Sequence, residues 1–179
     1  MPRRYSSWAI VALAGTLVGG TACRLDLDTP LTYKDVTCEP LDVPVCRDAT
    51  EHSDFTWIHA NVLAKNCNGT ACHVDGGTNK DAARLKFDDK ALAYNTLVDP
   101  GDGPIMSQIQ TDLPLIAKGE PERSYMLFLM KAVPRSEFVP SDIPEPPKEA
   151  GYMPRGNGIL CCQKLDAVER WVAAGANND

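Results

Sequence analysis

Two cysteines and a histidine lie close together in residues 66–77, NCNGTACHVDGG. Cys67, Cys72 and His73 follow one another in the order C-x4-C-H. Covalent haem attachment uses two thiols and a histidine directly after the second thiol, usually in the order C-x-x-C-H. The same short spacing can also bring two cysteines together in a local disulfide. The segment therefore indicates either a haem site with a longer spacer or a disulfide-closed loop.

The four spacer residues, NGTA, suit a loop that bulges outward, because Asn68 and Gly69 adopt turn conformations at little cost. Such a bulge would keep the two sulfur atoms at the separation that haem attachment needs. Zinc binding through Cys67, Cys72 and His73 is a weaker alternative, since adjacent residues would both be ligands and no fourth ligand is evident. A thiol nucleophile has less support still. No Ser-His-Asp set, phosphate loop or H-E-x-x-H motif indicates an enzyme.

A six-coordinate haem needs a second axial ligand, and methionine is a common partner of histidine. Met153 fits best, because it lies in the sequence GYMPRG within a proline-rich loop. Met106, in GPIMSQ, is the second candidate. His52 and His59 are further alternatives, but their positions are more typical of solvated surface histidines.

The first 22 residues have the composition of an export signal. A short basic start, MPRRYSS, precedes the apolar run WAIVALAGTLVG and small residues that lead to Cys23. The run is too short for a bilayer core of about 30 Å, and small residues before a cysteine resemble the lipobox of bacterial lipoproteins. We expect residues 1–22 to be a signal peptide and Cys23 to be lipidated, with plain secretion as the alternative. The protein would then be extracytoplasmic and membrane-anchored, facing the periplasm or the cell surface.

The charge of the chain argues against a nucleic-acid partner. The formal net charge is −6, and removal of residues 1–22 takes away Arg3 and Arg4 but no acidic residue, which gives −8. No basic stripe offsets this acidity. The remaining residues are enough for one domain with a hydrophobic core.

Four further cysteines are candidates for disulfides, because extracytoplasmic thiols are usually oxidised. They are Cys38, Cys46, Cys161 and Cys162. A bridge between the adjacent Cys161 and Cys162 would be strained. Each should therefore reach a separate partner, most simply Cys38 and Cys46, and tie the N-terminal segment to the last helix. A local bridge between Cys38 and Cys46 is the alternative.

The elements that must position these residues are predicted to be helices. Residues 23–52 lack a helical period and are predicted to form an irregular tether. Apolar periodicity predicts helices over about residues 54–66, over DDKALAYNTLV, over SYMLFLMKAV and over CCQKLDAVERWVAAG. The first would be capped by Ser53 or Asp54 and would direct Cys67 inward, and Gly175 would end the last. Residues 134–158 contain six prolines and are predicted to form a long loop.

Four motifs in this order resemble the c-type cytochrome domains of large exported bacterial proteins. They are VLAKNCNGTACH, GEPERSYMLFLM, MPRG and LDAVERWVAAGA, and together they extend over about residues 54–176. The resemblance implies a small all-α domain over residues 53–179, with long loops rich in proline and glycine. It also implies that the first and last helices pack across each other beside the haem.

The same resemblance assigns roles to individual residues. Cys67 and Cys72 would hold the haem through thioether bonds, His73 would be the proximal iron ligand and Met153 the distal one. The chain departs from the common pattern in its C-x4-C spacing, and in Arg155, which stands where a second proline often follows Met-Pro.

Together these observations predict an extracytoplasmic electron-transfer protein that binds one covalent haem c. Such a protein passes electrons and is not an enzyme, and its redox partner protein is not identified by the sequence. The alternative is a haem-free, disulfide-stabilised lipoprotein domain that acts as a surface binding or interaction module.

Overall fold

The computed structural model describes residues 38, 40–69, 72–77, 84–98, 101–147, 151–155 and 160–179. The predicted signal peptide, residues 1–22, and the predicted lipidation site, Cys23, lie outside these residues. Within the described ranges every regular element is helical, and the β contacts are limited to an isolated bridge between Met106 and Pro114. The all-α fold class predicted from the sequence is confirmed.

The described ranges contain five α-helices and several shorter helical segments. The α-helices are α1 (Pro44–Asp48), α2 (Phe55–Ile58), α3 (Lys90–Leu97), α4 (Tyr125–Met130) and α5 (Cys162–Ala173). A π-helix, His59–Cys67, continues α2 without interruption. Short 3-10 helices span Ala49–Glu51, Pro121–Arg123 and Arg135–Glu137.

The start of α2 is fixed by two carboxylates, one local and one distant. Asp54, one of the two predicted caps, accepts a hydrogen bond from the Trp57 backbone N–H at 2.7 Å and is the N-cap. Asp179 accepts another from the Phe55 N–H at 2.7 Å. These bonds satisfy donors that have no partner inside the helix. The C-terminal segment therefore helps to place the helix that leads to Cys67.

The first and last helical segments of the predicted domain pack against each other. The Phe55 ring on α2 stacks on Trp171 of α5 with a centroid distance of 5.1 Å. Tyr94 on α3 meets the edge of Phe55 at 5.3 Å. Phe55 and Trp171 are fully buried and Tyr94 is half-buried, so the three rings join α2, α3 and α5 in one core.

Helix α4 is buried on all sides, as expected for a short central helix. All six of its residues, YMLFLM, are buried. It ends earlier than the sequence predicts, because Lys131 adopts a left-handed conformation with φ of 60° and stops the helix. Val133 is still buried, but it reaches the core from the following turn.

The segment predicted to be an irregular tether contains helix where the structure describes it. Pro44 occupies the first turn of α1, where its missing N–H costs nothing. Cys46 and Ala49 are buried, and Arg170 of α5 donates to the Ala49 carbonyl oxygen at 2.8 Å. These contacts show that residues 44–51 pack onto α5. A five-residue helix is too short to show a period, which is why the pattern did not predict it.

Candidate functional site

Cys67 is the last residue of the π-helix and the first residue of the C-x4-C-H segment. Val62 and Leu63 of the same helix are fully buried and hold its inner face in the core. Cys67 packs against that core, and its sulfur lies 3.9 Å from the Val62 carbonyl oxygen. The helix therefore directs the first cysteine of the segment inward.

The chain after Cys67 turns back onto the end of the helix. The Cys72 backbone N–H donates to the Gly69 carbonyl oxygen at 2.7 Å. The His73 N–H donates to the Cys67 carbonyl oxygen at 3.3 Å. Residues 70 and 71 lie outside the described residues, and the two bonds bring Cys72 back to Gly69 and His73 back to Cys67. His73 is thereby joined through its backbone to Cys67.

A second turn follows the histidine and requires glycine at one position. The Gly77 N–H donates to the Val74 carbonyl oxygen at 3.1 Å. A Cβ atom at residue 77 would lie 2.7 Å from the Cys72 carbonyl oxygen, which is closer than real contacts of this kind. Any other residue at this position would therefore displace the backbone of Cys72 and alter the loop that carries Cys72 and His73.

His73 is buried and packs against Phe87. Its side chain is 9% exposed, and the two rings have a centroid distance of 4.9 Å and an interplanar angle of 40°. The Phe87 N–H donates to the His73 carbonyl oxygen at 2.9 Å, and the Phe87 carbonyl oxygen lies 3.1 Å from Nε2 of His59. Phe87 therefore links the imidazole of the C-x4-C-H segment to the π-helix.

Asp88 holds the loop from the side next to Phe87. Its Oδ2 accepts the Asp75 N–H at 2.8 Å. With the Asn68 amide turned so that its nitrogen faces acceptors, that nitrogen donates to Asp88 Oδ1 at 3.1 Å and to the His73 carbonyl oxygen at 3.2 Å. Lys86 also contacts Asp75 at 2.7 Å and lowers the pKa of that exposed carboxyl group. One carboxylate thus ties the two ends of the loop together.

The environment of Cys67 favours an uncharged sulfur. Burial raises the pKa of its thiol to about 12, the neighbouring Cys72 adds to the rise, and Lys164 opposes it. Both Cys67 and Cys72 are thiols in the structure. A desolvated site of this kind suits a thiol, a thioether or a disulfide better than a thiolate.

Zinc binding, the weaker alternative, gains no support from this environment. A cysteine binds zinc as a thiolate, which the burial of Cys67 disfavours. Among the residues that the structure describes, no three His, Cys, Asp or Glu side chains form a group that could hold a metal ion. The candidate chemistry therefore remains the covalent use of the two sulfur atoms.

The predicted distal ligand lies on a separate loop that is attached to α4. The Met153 N–H donates to the Leu129 carbonyl oxygen at 2.9 Å, and its side chain packs partly buried against the core. Met106, the second candidate, is 42% exposed. The backbone contacts of Met153 place it beside α4, whereas those of His73 place it beside the π-helix.

The two other histidines are engaged elsewhere. His52 Nδ1 lies 2.8 Å from Asp54 Oδ2, and its ring stacks on Trp57 at 4.9 Å. His59 lies against the Phe87 carbonyl oxygen. Both therefore have structural contacts at the helix that precedes the candidate site.

The predicted disulfide pattern is confirmed. Cys38 is bonded to Cys162, and Cys46 is bonded to Cys161. The adjacent pair thus reaches two separate partners, and the alternative local bridge between Cys38 and Cys46 is wrong. Both bonds fix the N-terminal segment to the first turn of α5.

Lys164 is a buried residue that the sequence analysis did not identify. It is 7% exposed, and its ammonium group donates to the Asn61 carbonyl oxygen at 2.7 Å. A signal was present, because residues 164, 168 and 171 recur at helical spacing and Val168 and Trp171 are apolar. Because lysine is rarely buried, this spacing alone does not indicate that Lys164 is buried.

An open surface pocket of about 340 Å³ lies at a different set of residues. Its lining includes Val98, Pro114, Ile116, Lys118 and Arg123. It contains none of the residues that the sequence analysis assigns to the candidate site.

Comparisons with protein-family models, curated proteins and solved structures find no match to this chain. Within the described residues, no helix has both the length and the apolar character needed to cross a membrane. The two disulfides are typical of extracytoplasmic proteins.

Proposed function

We propose that the protein is an extracytoplasmic electron carrier with one haem c bound through Cys67 and Cys72. The observation that carries the proposal is the pair of backbone contacts that joins His73 to Cys67 at the end of a helix whose inner face is buried. These contacts bring one inward-facing sulfur and a buried imidazole into one short loop. In this proposal the protein passes electrons to a partner protein and converts no substrate.

The chemistry of the donor set fits the proposed group. Cys67 and Cys72 supply two thiols, His73 supplies a buried imidazole and Met153 supplies a thioether on a second loop. When bound, haem supplies reversible one-electron chemistry at its iron. The protein residues would anchor the group, supply its two axial ligands and keep water from it.

Phe87 and Asp88 support the proposed proximal ligand. Phe87 packs on the His73 ring and bonds its carbonyl oxygen, while Asp88 holds Asp75 on the far side of the loop. Such support restricts the orientation of the imidazole, which is a general requirement for ligands that set a reduction potential.

The assignment of Met153 is tested by a matched pair of methionine variants. Met153→Ala should lower the reduction potential while haem stays covalently attached, because a His/Met ligand pair raises the potential. Met106→Ala should leave the potential unchanged, since Met106 is exposed. A normal potential in Met153→Ala would reject the assignment.

We also propose that Cys23 is acylated and anchors the protein to a membrane. The order of basic, apolar and small residues before Cys23 supports this. Intact-mass analysis should show a lipidated chain that begins at Cys23, and Cys23→Ser should release the protein from membranes. An unmodified mature chain with another N-terminus would contradict the anchor.

A second candidate function is a haem-free, disulfide-stabilised interaction module. The two long-range disulfides favour it, because they would stabilise the fold without a cofactor. Mass spectrometry of protein exported with haem-attachment machinery separates the two functions. Haem on Cys67 and Cys72 supports the carrier, whereas a Cys67–Cys72 disulfide supports the module.

A further inference from the structure

Lys164 is the buried lysine in the part of the chain that the structure describes. It lies on the inner face of α5, three residues after the disulfide-bonded Cys161. Burial of an ammonium group costs free energy unless hydrogen bonds replace its hydration. The contacts of Lys164 therefore need a structural or functional explanation.

The contacts of Lys164 lead to the end of the π-helix that carries Cys67. Its Nζ donates to the Asn61 carbonyl oxygen at 2.7 Å and to Asn66 Oδ1 at 3.2 Å. Asn66 is the residue directly before Cys67. A cation is favoured near the C-terminal end of a helix, where the carbonyl groups make the potential negative.

We infer that Lys164 is a positioning residue for the chemistry at Cys67, and that its charge favours the reduced form of the proposed redox site. The first part follows from the hydrogen bonds of Lys164 to Asn61 and Asn66, which both lie in the π-helix that ends at Cys67. The second part rests on the proposed function. Entry of one electron makes a site more negative by one charge, so a nearby fixed cation stabilises the reduced form.

The electrostatics of the two side chains agree with this arrangement. Burial lowers the pKa of Lys164, the nearby Lys65 lowers it further, and Cys67 opposes the change. Lys164 in turn opposes the rise in the pKa of Cys67. Lys65 provides a natural comparison, because it is exposed and its Nζ donates to the Asn61 side-chain oxygen at 2.9 Å rather than to the helix backbone.

The charge is tested by potentiometric titration of the haem-loaded protein. Lys164→Met keeps most of the apolar side chain and removes the charge, so we expect the equilibrium to shift about tenfold toward the oxidised form, which is 59 mV for one electron. Lys164→Arg should restore most of the wild-type potential. Lys65→Met should change the potential less than Lys164→Met. Equal effects of Lys65→Met and Lys164→Met, or no effect of either, would overturn the inference.

The positioning role is tested without haem, so that its failure is distinct from failure of the proposed function. In protein made without attachment machinery and with both disulfides formed, loss of the Lys164 charge alone would raise the pKa of Cys67 further and slow its labelling by iodoacetamide. Loss of the hydrogen bonds that hold the end of the π-helix should outweigh this effect, so Lys164→Ala should increase the labelling rate of Cys67 several-fold relative to Cys72. Lys65→Ala should leave this ratio unchanged. If wild-type protein binds no haem, the proposed function is wrong. The ratio of the two labelling rates then still tests the positioning role of Lys164. An unchanged ratio in Lys164→Ala would then overturn the inference.

Discussion

Cys67 owes its chemical character to its place at the end of a helix whose inner face lies in the core, against which Cys67 packs. A cysteine in an exposed loop would ionise near its ordinary pKa and react readily. Burial instead raises the pKa of Cys67 to about 12, with a contribution from Cys72. Cys67 is therefore expected to react more slowly than an ordinary exposed cysteine, which the spacing of the motif alone does not reveal.

This difference predicts how the stability of the haem-free protein depends on pH. Folded Cys67 keeps its proton to about pH 12, whereas the unfolded thiol has a pKa near 9.0. The unfolding free energy should therefore fall as pH rises above 9, by at most about 1.4 kcal/mol per pH unit from this residue. Urea unfolding between pH 8 and about 9.5 measures this slope, because at higher pH Tyr125 contributes as well. Burial raises the pKa of Tyr125 from 10.0 to about 12, so its contribution begins near pH 10.

Two controls accompany this measurement. Cys67→Ala should have a shallower slope over the same pH range, and so should haem-loaded protein, because a thioether has no proton to lose. A slope that is identical in wild type and Cys67→Ala would show that the thiol is not desolvated by the fold.

Asp88 is a second residue that should contribute measurably to the unfolding free energy. Asp88→Ala removes the bonds to Asp75 and Asn68 and leaves the Asp75 N–H without its acceptor. We expect a loss of about 1 to 2 kcal/mol in unfolding free energy. Chemical denaturation measures it, with the exposed Asp102→Ala as the matched control that should change little. Equal stability of the two variants would contradict a stabilising role for the hydrogen bonds of Asp88.

Among the secondary-structure elements, capping residues in the sequence predict where the helices begin. The spacing of apolar residues predicts which face of each helix is buried. Asp54 starts α2, Gly175 follows the end of α5 with φ of 100°, and Leu165, Val168 and Val172 are buried as predicted. The π-helix was not predicted, because nine residues are too few to distinguish its period from that of an α-helix. It matters for the site, since π-helical turns are frequent at functional positions.

The Asp54 cap gives a prediction for α2 as an element. Asp54→Ala should lower the unfolding free energy by about 1 kcal/mol, because the Trp57 N–H loses its acceptor. Asp54→Asn keeps an acceptor oxygen and should lose less. Burial tends to raise the pKa of Asp54, but the hydrogen bond from His52 and the backbone N–H of Trp57 outweigh it and lower that pKa. The stabilisation should therefore persist above pH 4 and weaken as pH falls below it.

Circular dichroism during urea unfolding at pH 7 and at pH 3 tests both statements. The difference in unfolding free energy between wild type and Asp54→Asn should be smaller at the lower pH, because the wild-type carboxylate becomes protonated. A difference that grows at low pH would contradict the lowered pKa.

Some residues of the site could not be predicted from the sequence, because they contact the C-x4-C-H segment from distant parts of the chain. Phe87, Asp88 and Lys164 each act on the C-x4-C-H segment from elsewhere in the chain. Nothing in their local sequence identifies that partner, since a pattern reports the period of its own element. The candidate thiols and imidazole were predictable because they are adjacent in sequence, whereas the residues that hold them are not.

At the scale of the whole molecule, two disulfides join the N-terminal segment to α5. Their sequence separations are 124 and 115 residues. Each bridge alone would close a long loop, but with one present the other closes only a short additional loop. Their contributions to stability should therefore not be additive.

Loop-closure entropy gives the expected size of this effect. Removal of either disulfide alone should cost about 3 kcal/mol, and removal of both about 7 kcal/mol. The variants are Cys38→Ala/Cys162→Ala, Cys46→Ala/Cys161→Ala and the combination of all four. Urea unfolding measures each. A double removal that costs no more than the sum of the single removals would contradict a shared loop.

An absorption spectrum tests most directly whether Cys67 and Cys72 hold a haem with His73 as its proximal ligand. The spectrum is recorded from protein exported in a host with periplasmic haem-attachment machinery, before and after dithionite, and is combined with acid acetone extraction. We expect sharp α and β bands on reduction, with haem that stays on the protein after extraction and is lost from Cys67→Ser/Cys72→Ser. A colourless wild-type protein whose Cys67 and Cys72 are joined by a disulfide would contradict it.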